Sequence, residues 1–103
     1  MNIREERKGS VLTLYLAGKM NSATAPELEK IIRQEAEQVS LLILDFRELD
    51  YISSAGLRVL IQAQQLIGAK GGLLVRNVNS IVMNIFQITG FSNILTIEPP
   101  VQG

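Results

Sequence analysis

The groups in this chain best placed to do chemistry are hydroxyls and carboxylates: the adjacent Ser53 and Ser54 ahead of Gly56, with Asp45 and Asp50 upstream. A serine before an apolar helical stripe accepts a backbone N–H as a cap, worth about 0.5 to 2 kcal/mol, and that is the simplest role for both serines. Asp45 closes an apolar run and Asp50 follows in a polar stretch, so both read as solvated or turn-forming acids. The chain has no histidine and no cysteine, which removes Ser-His-Asp and Cys-His nucleophiles, thiolate or imidazole zinc sites, disulfides and thiol redox chemistry together. Carboxylates alone can hold a metal and a lysine or aspartate can act as a base, but both need clustering, and the acids here are scattered. Gly68 to Gly72 has the residue types of a phosphate-cradling loop in the wrong order. No catalytic residue, metal site or cofactor is expected.

Composition narrows the remaining classes. Ten lysines and arginines balance 10 aspartates and glutamates for a formal net charge of +0. No long-range field therefore draws in nucleic acid or an anionic membrane, and neither is expected as a partner. Hydrophobic residues make up 47% of 103 positions, enough for one core and too few for two, so residues 1–103 read as one domain. Met1 to Arg7 lacks the apolar segment of a secretory signal, and no run approaches the roughly 20 apolar residues that cross a bilayer. A cytoplasmic protein is the expectation.

The elements that must position Ser53 and Ser54 follow from periodicity. Val11 to Ala17 alternates, with Leu12, Leu14 and Leu16 on one face, and residues 3–7 pair with it through a turn at Lys8-Gly9-Ser10. Gly18 ends that strand. Thr24 and Glu27 form the pattern of a capping box, with Pro26 in the first turn, and Leu28, Ile31, Ile32 and Val39 give the helix its buried stripe. Leu41 to Leu44 is apolar without alternation, the mark of a central parallel strand covered on both faces, and Asp45 closes it. After the polar stretch Arg47 to Asp50, the spacing of Val59, Leu60, Ala63, Leu66 and Ile67 predicts a second helix stopped by Gly68. Gly71-Gly72 leads into a strand at Leu73 to Val75, Ser80 caps a third helix carrying Val82, Ile85 and Phe86, and Gly90 ends it. Ile94 to Ile97 makes a last strand, Pro99-Pro100 stops its continuation, and residues 98–103 form a frayed tail.

These elements predict an α/β fold: a small mixed β-sheet with βαβ crossovers and about three α-helices. In such sheets partners sit at the loops beyond the carboxyl ends of the parallel strands, and Asp45 to Gly56 is the loop of that kind here. Gly56, in the first turn of a helix that glycine weakens by up to about 1 kcal/mol, suggests close approach by another backbone or a partner.

The stretch Leu44-Asp45-Phe46-Arg47-Glu48-Leu49-Asp50-Tyr51-Ile52-Ser53-Ser54-Ala55-Gly56-Leu57 resembles the signature of the STAS domain family, the stand-alone bacterial anti-sigma factor antagonists. Weaker similarity extends over Gly18 to Leu28, Gly71-Gly72 and Ile85-Phe86 to Gly90-Phe91. The resemblance implies a partner switch. The unphosphorylated protein binds an anti-sigma factor kinase of GHKL type and frees its sigma factor or other client; phosphorylation by that kinase ends binding, and a PP2C-type phosphatase resets the cycle. Carried onto this chain, the phosphoacceptor is Ser54, two residues before Gly56. Ser53 stands where the family most often has aspartate, which makes it the second candidate acceptor. The resemblance places Met20, Asn21, Ser22, Asp45, Ser53, Gly56, Leu57 and Arg58 in the partner-binding surface. Residue type alone gives Met20 burial, Asn21 a turn or cap, and Arg58 a solvated position. The alternative class is a STAS-like structural or accessory subunit of a signalling or lipid-transport assembly that never meets a kinase.

Overall fold

Leu12, Leu14 and Leu16 point to one side of a strand because side chains alternate along extended backbone, and burying them requires a layer on that side only. The computed structural model describes residues 1–98 and shows that layer. Strands β1 (Asn2–Lys8), β2 (Val11–Met20), β3 (Leu41–Ile52) and β4 (Leu73–Arg76) form one sheet in the order β1-β2-β3-β4. β1 runs antiparallel to β2, whereas β2, β3 and β4 are parallel. Helices α1 (Ala25–Glu35) and α2 (Ser54–Leu66) make the two crossovers, and α3 (Ser80–Thr89) follows β4. Because successive parallel strands are added in one direction and crossovers are right-handed, both crossover helices fall on the same face. The mixed α/β sheet with three helices is the expected architecture.

One hydrophobic cluster joins Leu12, Leu14 and Leu16 of β2, Leu42, Leu44 and Phe46 of β3, and Leu73 and Val75 of β4 to Leu28 and Ile32 of α1, Leu60 and Ala63 of α2, and Val82 and Phe86 of α3. Phe86 is its hinge, with ring centroids 6.1 Å from Phe46 and 6.3 Å from Phe91. Ile43 is buried but outside this cluster. Leu41 to Leu44 therefore alternates after all: Leu42 and Leu44 meet the helices, and Ile43 points to the opposite face with Thr13 and Asp45.

Several boundaries differ from the sequence expectations, each for a local reason. β2 continues through Gly18, which adopts φ +95, to Met20. β3 does not close at Asp45 but runs seven residues further, so most of the expected Asp45–Gly56 loop is strand. Two register shifts against β2, between Tyr15 and Ala17 and between Gly18 and Lys19, each insert an extra β3 residue. Burial along this arm consequently recurs every third residue, at Phe46, Leu49 and Ile52, where an unbulged strand would bury every second. At α1 the Thr24 side chain makes no cap bond; its hydroxyl donates to the Lys19 carbonyl and accepts from the Asn21 N–H, both at 2.9 Å, so no capping box forms. Asn79, not Ser80, caps α3 by accepting from Val82 N–H at 2.8 Å. α2 ends at Leu66 with Ile67 as its cap, and Gly68 opens a short 3-10 turn. The expected last strand is reduced to one parallel bridge between Val75 and Ile97. Glu98 is not frayed, since its N–H donates to the Val75 carbonyl at 2.8 Å, and residues 99–103 lie outside the described residues.

Candidate partner-binding site

The carboxyl ends of β2 and β3 converge where Met20 pairs with Ile52, and the Ser53 N–H donates to the Met20 carbonyl at 2.8 Å. β4 is far shorter: its last pair, Arg76 with Asp45, leaves the outer half of β3 without a partner on that side. The start of α3 fills part of the gap, with Asn79 Nδ2 donating to the Leu49 carbonyl at 2.6 Å. The β2–β3 arm, tied down in this way, presents two turns together, residues 21–24 before α1 and Ser53 before α2.

At the second turn the two serines have different fates. Ser53 is extended, with ψ 177, and its hydroxyl accepts from the Gly56 N–H at 3.5 Å while its carbonyl accepts from Leu57 N–H at 2.9 Å. It is the cap. Ser54 is the first helical residue and is exposed. No acidic residue lies in the first turn of α2, so the unpaired N–H groups and the positive end of the helix face Ser54 without a compensating carboxylate. Arg58 is exposed one turn further on, at the i+4 position that neighbours residue i on a helix surface.

The other residues expected at the site separate into a surface and its support. Ser22, Ser54 and Arg58 are exposed, Leu57 is half-buried, and Met20 is fully buried. Asn21 is half-buried and its side chain is committed to the turn, with Oδ1 accepting from the N–H groups of Ala23 and Thr24 at 2.9 and 3.2 Å. Gly56 is buried, and the close approach its presence suggested is to side chains of the same chain. A Cβ there would lie 2.6 Å from Ile52 Cγ1 and 2.8 Å from Met20 Sδ. Gly56 is thus what lets α2 sit against the β2–β3 pair, and it presents no side chain to a partner. Gly56→Ala should lower stability by about 1 to 2 kcal/mol in urea unfolding, because displacing Ile52 outweighs alanine's helix propensity. A raised denaturation midpoint would show that the helix start accommodates a methyl group freely.

Asp45 is not brought to this site. It sits roughly 20 Å back along β3, 4% exposed, where Oδ1 accepts from Arg47 N–H at 2.9 Å and Oδ2 accepts from Arg76 Nε at 3.2 Å and Asn77 Nδ2 at 2.8 Å. Its carboxylate ties β3 to the end of β4 and to Asn77, whose φ of 57 starts the turn toward α3. Tyr51, which no sequence signal placed here, is also exposed on this arm. It pairs with Lys19 across the arm, next to the Met20–Ile52 pair, and is 45% exposed. Among the described residues no cluster of acids could hold a metal ion, and no helix is long and apolar enough to cross a membrane.

Ser54 thus stands exposed at a helix N-terminus, on the carboxyl-end rim of the mixed sheet. The chain belongs to the STAS domain family, whose model matches residues 2–103. It is 35% identical over 99 residues to the Bordetella bronchiseptica protein BtrV, named for anti-sigma factor antagonism, a regulatory and non-enzymatic role; the match covers 94% of this chain and 85% of BtrV. An anti-sigma factor antagonist from Mycobacterium paratuberculosis superposes with a TM-score of 0.85 at 22% identity, covering 97% of this chain and 86% of that one. The Bacillus cell fate determinant SpoIIAA in its phosphorylated form gives 0.75 at 16% identity, covering 95% and 92%. These two structures share the fold.

Proposed function

We propose that this protein is an anti-sigma factor antagonist whose binding is switched off by phosphorylation of Ser54. The observation that carries the reading is the division of labour between the two serines: Ser53 uses its hydroxyl as the cap of α2, and Ser54 stands exposed beside it. Unphosphorylated, the surface formed by Ser22, Tyr51, Ser54, Leu57 and Arg58 closes on an anti-sigma factor of GHKL serine-kinase type in the cytoplasm, releasing the sigma factor or other client. That kinase phosphorylates Ser54, and a PP2C-type phosphatase restores the serine. Neither nucleic acid nor membrane takes part directly. Membership of the family, the regulatory relatives and a structural neighbour solved in a phosphorylated form support this reading.

The physics of the switch lies in the helix start. A phosphate adds about −1.5 to −2 charges and three strong acceptor oxygens. At the N-terminus of α2 that charge meets free N–H groups, and Arg58 stands one turn away, so the domain itself tolerates the modification. A partner packed over an uncharged serine has no such compensation and must desolvate a dianion. The tryptic peptide Glu48 to Arg58 holds Tyr51, Ser53 and Ser54 together. Mass spectrometry of protein from native cells in growth and stress should find phosphate at Ser54 at an occupancy that changes with condition. A bare peptide in every state, and after incubation with kinase-rich lysate and ATP, would reduce Ser54 to a residue of the helix start and make the domain an accessory subunit.

A further inference from the structure

From Asn77 to Ile97 the chain contains no lysine, arginine, aspartate or glutamate, so all 10 cationic and all 10 anionic residues lie elsewhere. The run includes the whole of α3, where Val82 and Phe86 fill the core. On another side of the helix, Ile81 is 61% exposed and Ile88 is 77% exposed, with the half-buried Ile85 between them. Positions 81, 85 and 88 have the four-then-three spacing of a helix–helix seam. A shallow depression lined by Ile81, Met83, Asn84, Ile85 and Gln87 adjoins the projecting Ile88. One patch thus carries both a knob and a hollow.

We infer that the exposed face of α3 is a self-association surface, on which two copies of this chain pack their α3 helices antiparallel about a two-fold axis near Ile85. An isologous contact sets each patch against itself, so any charge near the axis meets its like. A surface with no charge escapes that repulsion. A different protein partner would be selected by complementary charge, and a membrane surface by lysine or arginine flanking the apolar stripe; neither signal is present between Asn77 and Ile97. Antiparallel packing puts Ile81 of each copy near Ile88 of the other. A helix of 10 residues covers far less than the roughly 800 Å² per partner of a standard stable interface, so the pair is weak and depends on concentration.

Sedimentation of the full chain from about 10 µM to about 1 mM should show the average mass rising from 11.4 kDa toward twice that value. Ile88→Glu should weaken the association at least about tenfold, since a carboxylate then enters the seam unpaired. Ile81→Glu does the same from the other end and suits the first turn of a helix. Circular dichroism melts of both variants should match the parent, because both side chains lie outside the core. As the chain has no cysteine, Ile85→Cys should give a disulfide-linked dimer on mild oxidation, whereas Lys30→Cys on α1 should not. A mass that stays at the monomer throughout, or a dimer indifferent to Ile88→Glu, would overturn the inference. Neither outcome bears on Ser54, whose role is read from a different surface and a different assay.

Discussion

Phosphorylation of Ser54 should weaken binding to the cognate anti-sigma factor by about a thousandfold, corresponding to about 4 kcal/mol. Ser54→Asp, which brings one negative charge in place of nearly two, should reproduce about a hundredfold of that loss. Ser54→Ala should remain within about threefold of the parent, because removing an exposed hydroxyl leaves no buried group unpaired. The asymmetry follows from where each charge is compensated. In the free domain the α2 N-terminus and Arg58 stabilise the anion, and water reaches it. In the proposed complex the interface would exclude that water and set the anion against a surface fitted to an uncharged serine. Titration calorimetry with the purified anti-sigma factor reads all three affinities, and equal values for Ser54→Asp and Ser54→Ala would rule out a charge switch at this residue. Ser53→Ala serves as the contrast: it removes the α2 cap, so its main effect is a loss of about 1 kcal/mol in stability.

Asp45→Ala should destabilise the fold by about 3 kcal/mol while leaving partner affinity unchanged at temperatures well below the melt. The carboxylate accepts from the Arg47 N–H, Arg76 Nε and Asn77 Nδ2 at 4% exposure, so alanine strands three donors at once. The loss stays near the lower end of the range for broken buried pairs because the Arg76 side chain is 29% exposed and regains water. Asp45→Asn keeps an acceptor oxygen and should lose about half as much. Urea unfolding gives the stability, and calorimetry on the same samples gives the affinity. A large affinity loss without a stability loss would return Asp45 to the partner-binding surface.

Phe46, Leu49 and Ile52 show why part of the site was hidden in the sequence. Strand recognition relies on a period of two, and the two extra residues in β3 stretch the buried positions to a period of three. The segment Arg47 to Asp50 therefore looked like a polar loop although Leu49 is completely buried within it. Bulges arise from pairing with β2, a partner far away in sequence, so no local pattern announces them. Asn79 and Ser80 illustrate a smaller ambiguity: either can cap a helix, and the choice fell to Asn79 because its amide also reaches the Leu49 carbonyl on the uncovered flank of β3.

Other features needed no tertiary information. The alternating leucines of β2 and the stripes of α1 and α2 define a small α/β domain, and the stretch from Leu44 to Leu57 carries the resemblance to the STAS family. These depend on residue type and on local geometry, which the chain carries in its order. What only the folded protein decided is which residue of each pair does what: Ser53 caps while Ser54 is exposed, Gly56 fits against Met20 and Ile52, and Asp45 braces a distant strand end. Those roles are set by neighbours that the sheet brings together across long stretches of sequence, and the burial, reach and register that assign them come into being only when it forms.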